Sequence, residues 1–145
     1  MRTPGLSDGR PAKAEAAYMK DYGMNPDYVQ GVADIADFML RTKRPDEALR
    51  FAEMLKSHDD FQFEHLLLKG RALMEKGEFG PAIQNLLDGN RIYNSDTRLL
   101  NALGFCYYKT GRKKEALDVL AASLRLNAEQ PEVKALAAAV EKELK

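Results

Sequence analysis

Two histidines, His58 and His65, bracket the segment HDDFQFEH, where Asp59, Asp60 and Glu64 add carboxylates. Imidazole and carboxylate are donors that divalent metals accept, so this stretch is the place to look for a metal centre. The other reactive side chain is Cys106, the only cysteine. It lies between apolar residues in LGFCYYK, a setting that suits a buried structural thiol better than a nucleophile, which needs exposure and a lowered pKa. A lone cysteine also forms no intramolecular disulfide, so nothing points to an oxidising compartment. No HExxH, P-loop, GxGxxG or GxSxG motif is present. The chemistry-bearing residues therefore predict no catalysis, no metal site and no cofactor.

Composition narrows the partners. Lys+Arg and Asp+Glu number 22 each in 145 residues. A net charge near zero gives no global electrostatic reason to expect nucleic acid or an anionic membrane. The start, MRTPGLSDGRP, lacks the apolar run of a signal peptide. No stretch approaches the roughly eighteen apolar residues of a membrane helix. The expectation is a cytoplasmic protein without membrane insertion, although a piece of a longer, anchored chain would read the same way.

The elements that position these residues follow from an internal repeat. Gly70 recurs as Gly104, Gly77 as Gly111, Ala82 as Ala116, Leu86 as Leu120 and Ile92 as Leu126, each at an offset of 34. Another step back places Ala36, Lys43, Ala48 and Ala52 in the same register. The units are 29–62, 63–96 and 97–130. In the third, Leu99, Leu100, Leu103, Tyr107 and Tyr108 make a helical stripe, Gly111 ends that helix, and Ala116, Leu117, Leu120, Leu124 and Leu126 carry the next. The second runs through Leu66, Leu67, Leu73 and Met74 to Gly77, then Ala82, Ile83, Leu86 and Leu87. Gly70 and Gly104 fall within helices, where glycine weakens the element by up to about 1 kcal/mol, so a neighbouring helix is expected to approach closely there. In this register His58 ends one helix and His65 begins the next, which makes Asp59 and Asp60 turn and N-cap residues rather than ligands.

The segments LLLKGRALMEKGEFGPAIQNLLDGNRI and LLNALGFCYYKTGRKKEALDVLAASLRLN resemble the tetratricopeptide repeat family. The resemblance covers about residues 29–130 and implies an all-α, right-handed solenoid of three helical hairpins. The first unit departs most, with Lys43 at the turn glycine, Pro45 close behind, and Ala52 with Leu55 reversing the usual large-then-small order. Residues 131–145, with Val133, Leu136, Ala137, Val140 and Leu144 on one face, read as a capping helix. Residues 1–10 read as disordered. Residues 11–28 read as an N-terminal helix or half-repeat, with Ala14, Ala17, Tyr18 and Tyr22 on one side. Capping the first unit, pairing two chains and occupying the groove all remain open for that segment.

What the resemblance implies about function is a concave groove lined by the first helix of each hairpin. Its places here are Gln30, Ala33, Asp37, Leu40 and Arg41, then Glu64, Leu67, Arg71, Met74 and Glu75, then Arg98, Asn101, Phe105, Tyr108 and Lys109. This mixture of apolar anchors and both charges suits an extended or helical peptide. Leu40, Leu67 and Tyr108 could equally pack between helices, whereas Phe105 beside Arg71, Arg98 and Lys109 reads as a contact residue. Family members that grip the acidic tails of heat-shock chaperones use lysine, asparagine and arginine at places held here by Ala33, Asp37, Leu68, Arg98 and Ala102. Only Arg98 is basic, so this chain is not expected to bind such tails. The expected function is a non-catalytic protein-interaction module, a scaffold or assembly factor. Size and repeat number also resemble type III secretion chaperones that hold translocator proteins. The remaining alternative is a self-associating structural scaffold, a homo-oligomer.

Overall fold

Helix follows helix wherever the repeat predicts it. The structure is a computed structural model, and it describes residues 26–145. The expectations for residues 1–25, a disordered start and a helical segment, lie outside the described residues. The helices are α1 (Pro26–Arg41), α2 (Pro45–Met54), α3 (Gln62–Glu75), α4 (Phe79–Ile92), α5 (Thr97–Lys109), α6 (Lys113–Leu126) and α7 (Pro131–Leu144). Short 3-10 turns, Leu55–Ser57 and Asp59–Phe61, join α2 to α3. There is no strand among the described residues. The first hairpin is α1 with α2, the second α3 with α4 and the third α5 with α6, and α7 closes the stack against α6.

Each hairpin turns in the same way. Lys43, Gly77 and Gly111 hold φ of 61°, 80° and 81°, all in the left-handed region. At each turn two amides reach back to the end of the first helix. Gly77 N–H donates to the Met74 carbonyl at 3.0 Å and Glu78 N–H to the Leu73 carbonyl at 2.9 Å. The third turn repeats this from Gly111 to Tyr108 (3.1 Å) and from Arg112 to Tyr107 (2.8 Å). These paired bonds are the Schellman ending that glycine favours because it has no Cβ to clash. The first turn makes the same bonds with a lysine, from Lys43 to Leu40 (3.2 Å) and from Arg44 to Met39 (2.8 Å). A side chain there costs on the order of 1 kcal/mol. Lys43→Gly is therefore expected to stabilise the chain by about 0.5–1 kcal/mol, read as a higher urea midpoint at unchanged slope.

Close approach explains the mid-helix glycines. A Cβ on Gly70 would lie 2.6 Å from Leu86, and one on Gly104 would lie 2.6 Å from Leu120. Both leucines are fully buried. The first hairpin reverses the sizes. Ala36 and Ala52 are both fully buried there, in one cluster with fully buried Phe51. Apolar side chains gather in two clusters, one around α1 and α2 reaching Leu68 and Ala72, the other running from Leu67 to Val140 of α7. Leu49 packs against both.

The link between α2 and α3 corrects one expectation. Asp59 and Asp60 do not cap α3, because their 3-10 turn runs straight into the helix and leaves Phe61 at the N-cap with no side-chain bond. Gln62 ties the link instead, donating from Nε2 to the carbonyls of Lys56 (2.8 Å) and His58 (2.9 Å). His65 is buried inside α3, and its Nδ1–H donates to the Ala52 carbonyl at 2.8 Å. That bond joins the first hairpin to the second.

Candidate functional site

Curvature makes the site. The first helices of successive hairpins touch, α1 with α3 and α3 with α5, while α2, α4 and α6 contact mainly their sequence neighbours. Helices in contact on one side and splayed on the other bend the stack, with α1, α3 and α5 on the inner face. Residues 34 apart line up across that face in rows such as Gln30, Glu64 and Arg98, or Asp37, Arg71 and Phe105.

At the α1 end the wall is a charge network. The Asp37 carboxylate accepts from Arg71 at 2.8 Å and from Arg41 at 2.9 Å. Burial alone would raise the Asp37 pKa, but the Arg71 bond and the charges of Arg71 and Arg41 outweigh it and hold it below its ordinary 3.8. A depressed carboxylate contributes stability that is present above its unfolded pKa and lost as pH falls through the folded value. Asp37→Asn is therefore expected to lower the urea midpoint at pH 7 and to leave it closer to wild type below pH ~3. Gln30, Ala33, Asp34, Asp37, Glu64, Leu67, Leu68 and Arg98 surround a hollow of about 150 Å³.

At the α5 end the wall is basic and aromatic. Phe105 is half-buried, with its ring 6.1 Å from Phe79 in an edge-to-face pair. Lys109 Nζ stands 5.5 Å from the centre of the Phe105 ring, within reach of a cation–π contact. Arg98 is mostly exposed and pairs with Asp96 at 2.7 Å. Its pKa is raised first by that bond, with further support from Asp37 and Glu64 across the groove. Asp96 also caps α5, accepting from the amides of Arg98 (2.9 Å) and Leu99 (3.3 Å).

The structure separates the expected groove residues. Arg71, Met74, Arg98, Phe105 and Lys109 keep side-chain surface on or beside the inner wall. Leu40 and Leu67 are 5% and 1% exposed and belong to the core, Leu67 forming the floor of the hollow, so neither offers a side chain to a partner. Asn101 turns towards the C-terminal cap, where its Nδ2 donates to Gln130 Oε1 at 2.9 Å and its Oδ1 accepts from Ser123 at 2.6 Å. Ser123 is fully buried, and this bond supplies the partner that a buried hydroxyl needs. Tyr108 likewise reaches α7, donating to Glu143 at 2.6 Å, and Lys113 holds the same carboxylate at 3.4 Å. Sequence reasoning did not find Phe79, Gln130 or Glu143. Ser123 within an otherwise apolar helical stripe was the available signal for the polar contact under α7.

The Cys106 thiol is fully buried, and burial pushes its pKa up to about 11, which keeps it protonated at neutral pH. No group of three or more His, Cys, Asp or Glu among the described residues is placed to hold a metal ion. No helix among them is long and apolar enough to cross a membrane.

Residues 73–140 match a family model described as tetratricopeptide repeat. No curated protein sequence matches the chain. Solved structures match closely in shape. The type III secretion chaperone SycD of Yersinia enterocolitica, solved with a peptide of the translocator YopD, superposes with a TM-score of 0.70 at 18% identity, covering 84% of this chain and 98% of that one. PcrH of Pseudomonas aeruginosa, solved with the chaperone-binding region of PopB, gives 0.65 at 19% identity over 81% of this chain and 95% of its own. MamA gives 0.70 at 16% identity over 99% of this chain and 86% of its own. Residues 73–140 thus resemble the tetratricopeptide repeat, and the helical hairpins of the chain form a solenoid of the shape these structures share.

Proposed function

We propose that the inner face of α1, α3 and α5 holds a segment of another protein, without catalysis. The observation that carries this reading is the wall itself. Exposed cations at Arg98 and Lys109 flank half-buried Phe105 and Met74. Aromatic and aliphatic anchors with a charged rim are what peptide recognition needs. The likeness in shape to SycD and PcrH, both solved with pieces of translocator proteins, supports a narrower reading in which the occupant is a segment of a translocator. Asp37 is already neutralised by Arg71 and Arg41 at the α1 end, whereas Lys109 stands over the Phe105 ring at the α5 end, so an occupant with an acidic group near Phe105 is favoured.

Peptides tiled across translocator proteins of the organism's own secretion system, titrated against the full chain by fluorescence anisotropy, test this reading. One tile should bind saturably. Binding by none of them, with capture of other proteins intact, removes the translocator reading. Self-association as the only measurable interaction removes the peptide reading altogether.

A further inference from the structure

Among the described residues nothing covers one face of α1, and it is the face that the preceding helix covers in the other hairpins. Asp34, Ile35, Phe38, Met39 and Arg44 line a hollow of about 320 Å³, and Phe38 is 51% exposed. At an offset of 34, the places of Ile35 and Phe38 become Lys69 and Ala72 on α3, then Leu103 and Cys106 on α5. Ala72, Leu103 and Cys106 are buried, and Lys69 lies against α2, where its Nζ meets Glu53 at 2.7 Å. Leu103 packs in the cluster that holds Leu87 of α4. A half-buried isoleucine and an exposed phenylalanine on this face are thus what a missing second helix would leave behind.

The sequence supplies such a helix in register. Gly9 stands 34 residues before Lys43, at the sequence place that Lys43, Gly77 and Gly111 hold in the later units. Arg10-Pro11 recurs as Arg44-Pro45, where Pro45 opens α2. Ala14 heads the series Ala48, Ala82 and Ala116, each of which is fully buried in the second helix of its hairpin. Met19 occupies the place of Glu53 and Leu87. Where α2 and α3 meet through Glu53 and Lys69, the corresponding pair is Met19 and Ile35, apolar on both sides.

We propose that residues 11–22 form the second helix of a half-repeat and dock in cis on the Ile35–Phe38 face of α1, with Met19 against Ile35. The solenoid then has both ends covered by its own chain, and the concave groove stays open to a foreign segment. Hydrogen exchange on the full-length chain tests this. At concentrations where light scattering reports a monomer, the amides of residues 12–22 should exchange at least about tenfold more slowly than unstructured amides. Phe38→Asp should abolish that protection and leave α5, α6 and α7 protected. Met19→Asp, which alters no described residue, should do the same even if Phe38→Asp loosens the first hairpin. Exchange of residues 12–22 at the unstructured rate in the wild-type monomer overturns the proposal. So does protection that appears only as dimers form, which assigns the face to a second copy, or protection that survives both substitutions.

Discussion

Truncating Leu120 to alanine should destabilise the chain by about 2–5 kcal/mol, and adding Gly104→Ala to that variant should recover part of the loss. Leu120 is fully buried, and its Cδ2 lies 2.6 Å from where a Gly104 Cβ would stand. In the wild type the two positions compete for one volume. Gly104→Ala alone gains up to about 1 kcal/mol of helix propensity but forces overlap with Leu120 and Val119, an overpacking that costs about 1–3 kcal/mol. Once Leu120 is shortened, the new methyl enters vacated space, so both the propensity and the lost contacts return. A double-mutant cycle by urea denaturation should show a favourable coupling of about 1 kcal/mol or more. Additive effects would mean that the close approach of α5 and α6 is not what keeps the glycine there.

The second large effect concerns binding. Phe105→Ala combined with Arg98→Glu should weaken partner capture at least about tenfold while helicity by circular dichroism stays unchanged. Phe105 presents an aromatic face with Phe79 on one edge and Lys109 above it, a supported position of the kind that carries interface energy. Arg98 is mostly exposed, so reversing its charge changes the field of the groove at small cost to the core. Its replacement also stands at the N-terminus of α5, where a carboxylate is tolerated by the helix dipole. Asn101→Ala offers the contrast. Asn101 satisfies buried Ser123 and Gln130, so its loss should lower stability by about 1–3 kcal/mol and act on binding only through the fold.

How far the sequence foretells this molecule depends on the scale of the feature. The 34-residue offset located the hairpins and their turns because glycine, alanine and leucine recur for reasons of backbone geometry and close packing, which are local and repeat with the unit. Even Lys43 fits, taking the left-handed place of Gly77 and Gly111 with the same pair of backbone bonds. The departures arise where a contact crosses from one unit to something outside the repeat. Asn101 and Tyr108 hold groove places by register, yet Gln130 and Glu143, which have no equivalents in earlier units, draw them to α7. Leu40 and Leu67 are legible as inner-face positions that could equally line the groove or pack between helices, and how closely α1, α3 and α5 pack decides for burial. Asp59 and Asp60 look like caps by residue type, and only the unbroken 3-10 entry into α3 removes that role.

The central claim is that the inner wall, and no other face, receives the partner. Photo-crosslinking with a benzophenone amino acid placed singly at Phe105, at Arg71 and at Gln84 tests it most directly, since Gln84 is exposed on the outer helix α4. Covalent capture of the partner segment is expected from positions 105 and 71, and none from 84. Capture from position 84 with none from 105 and 71 would contradict it.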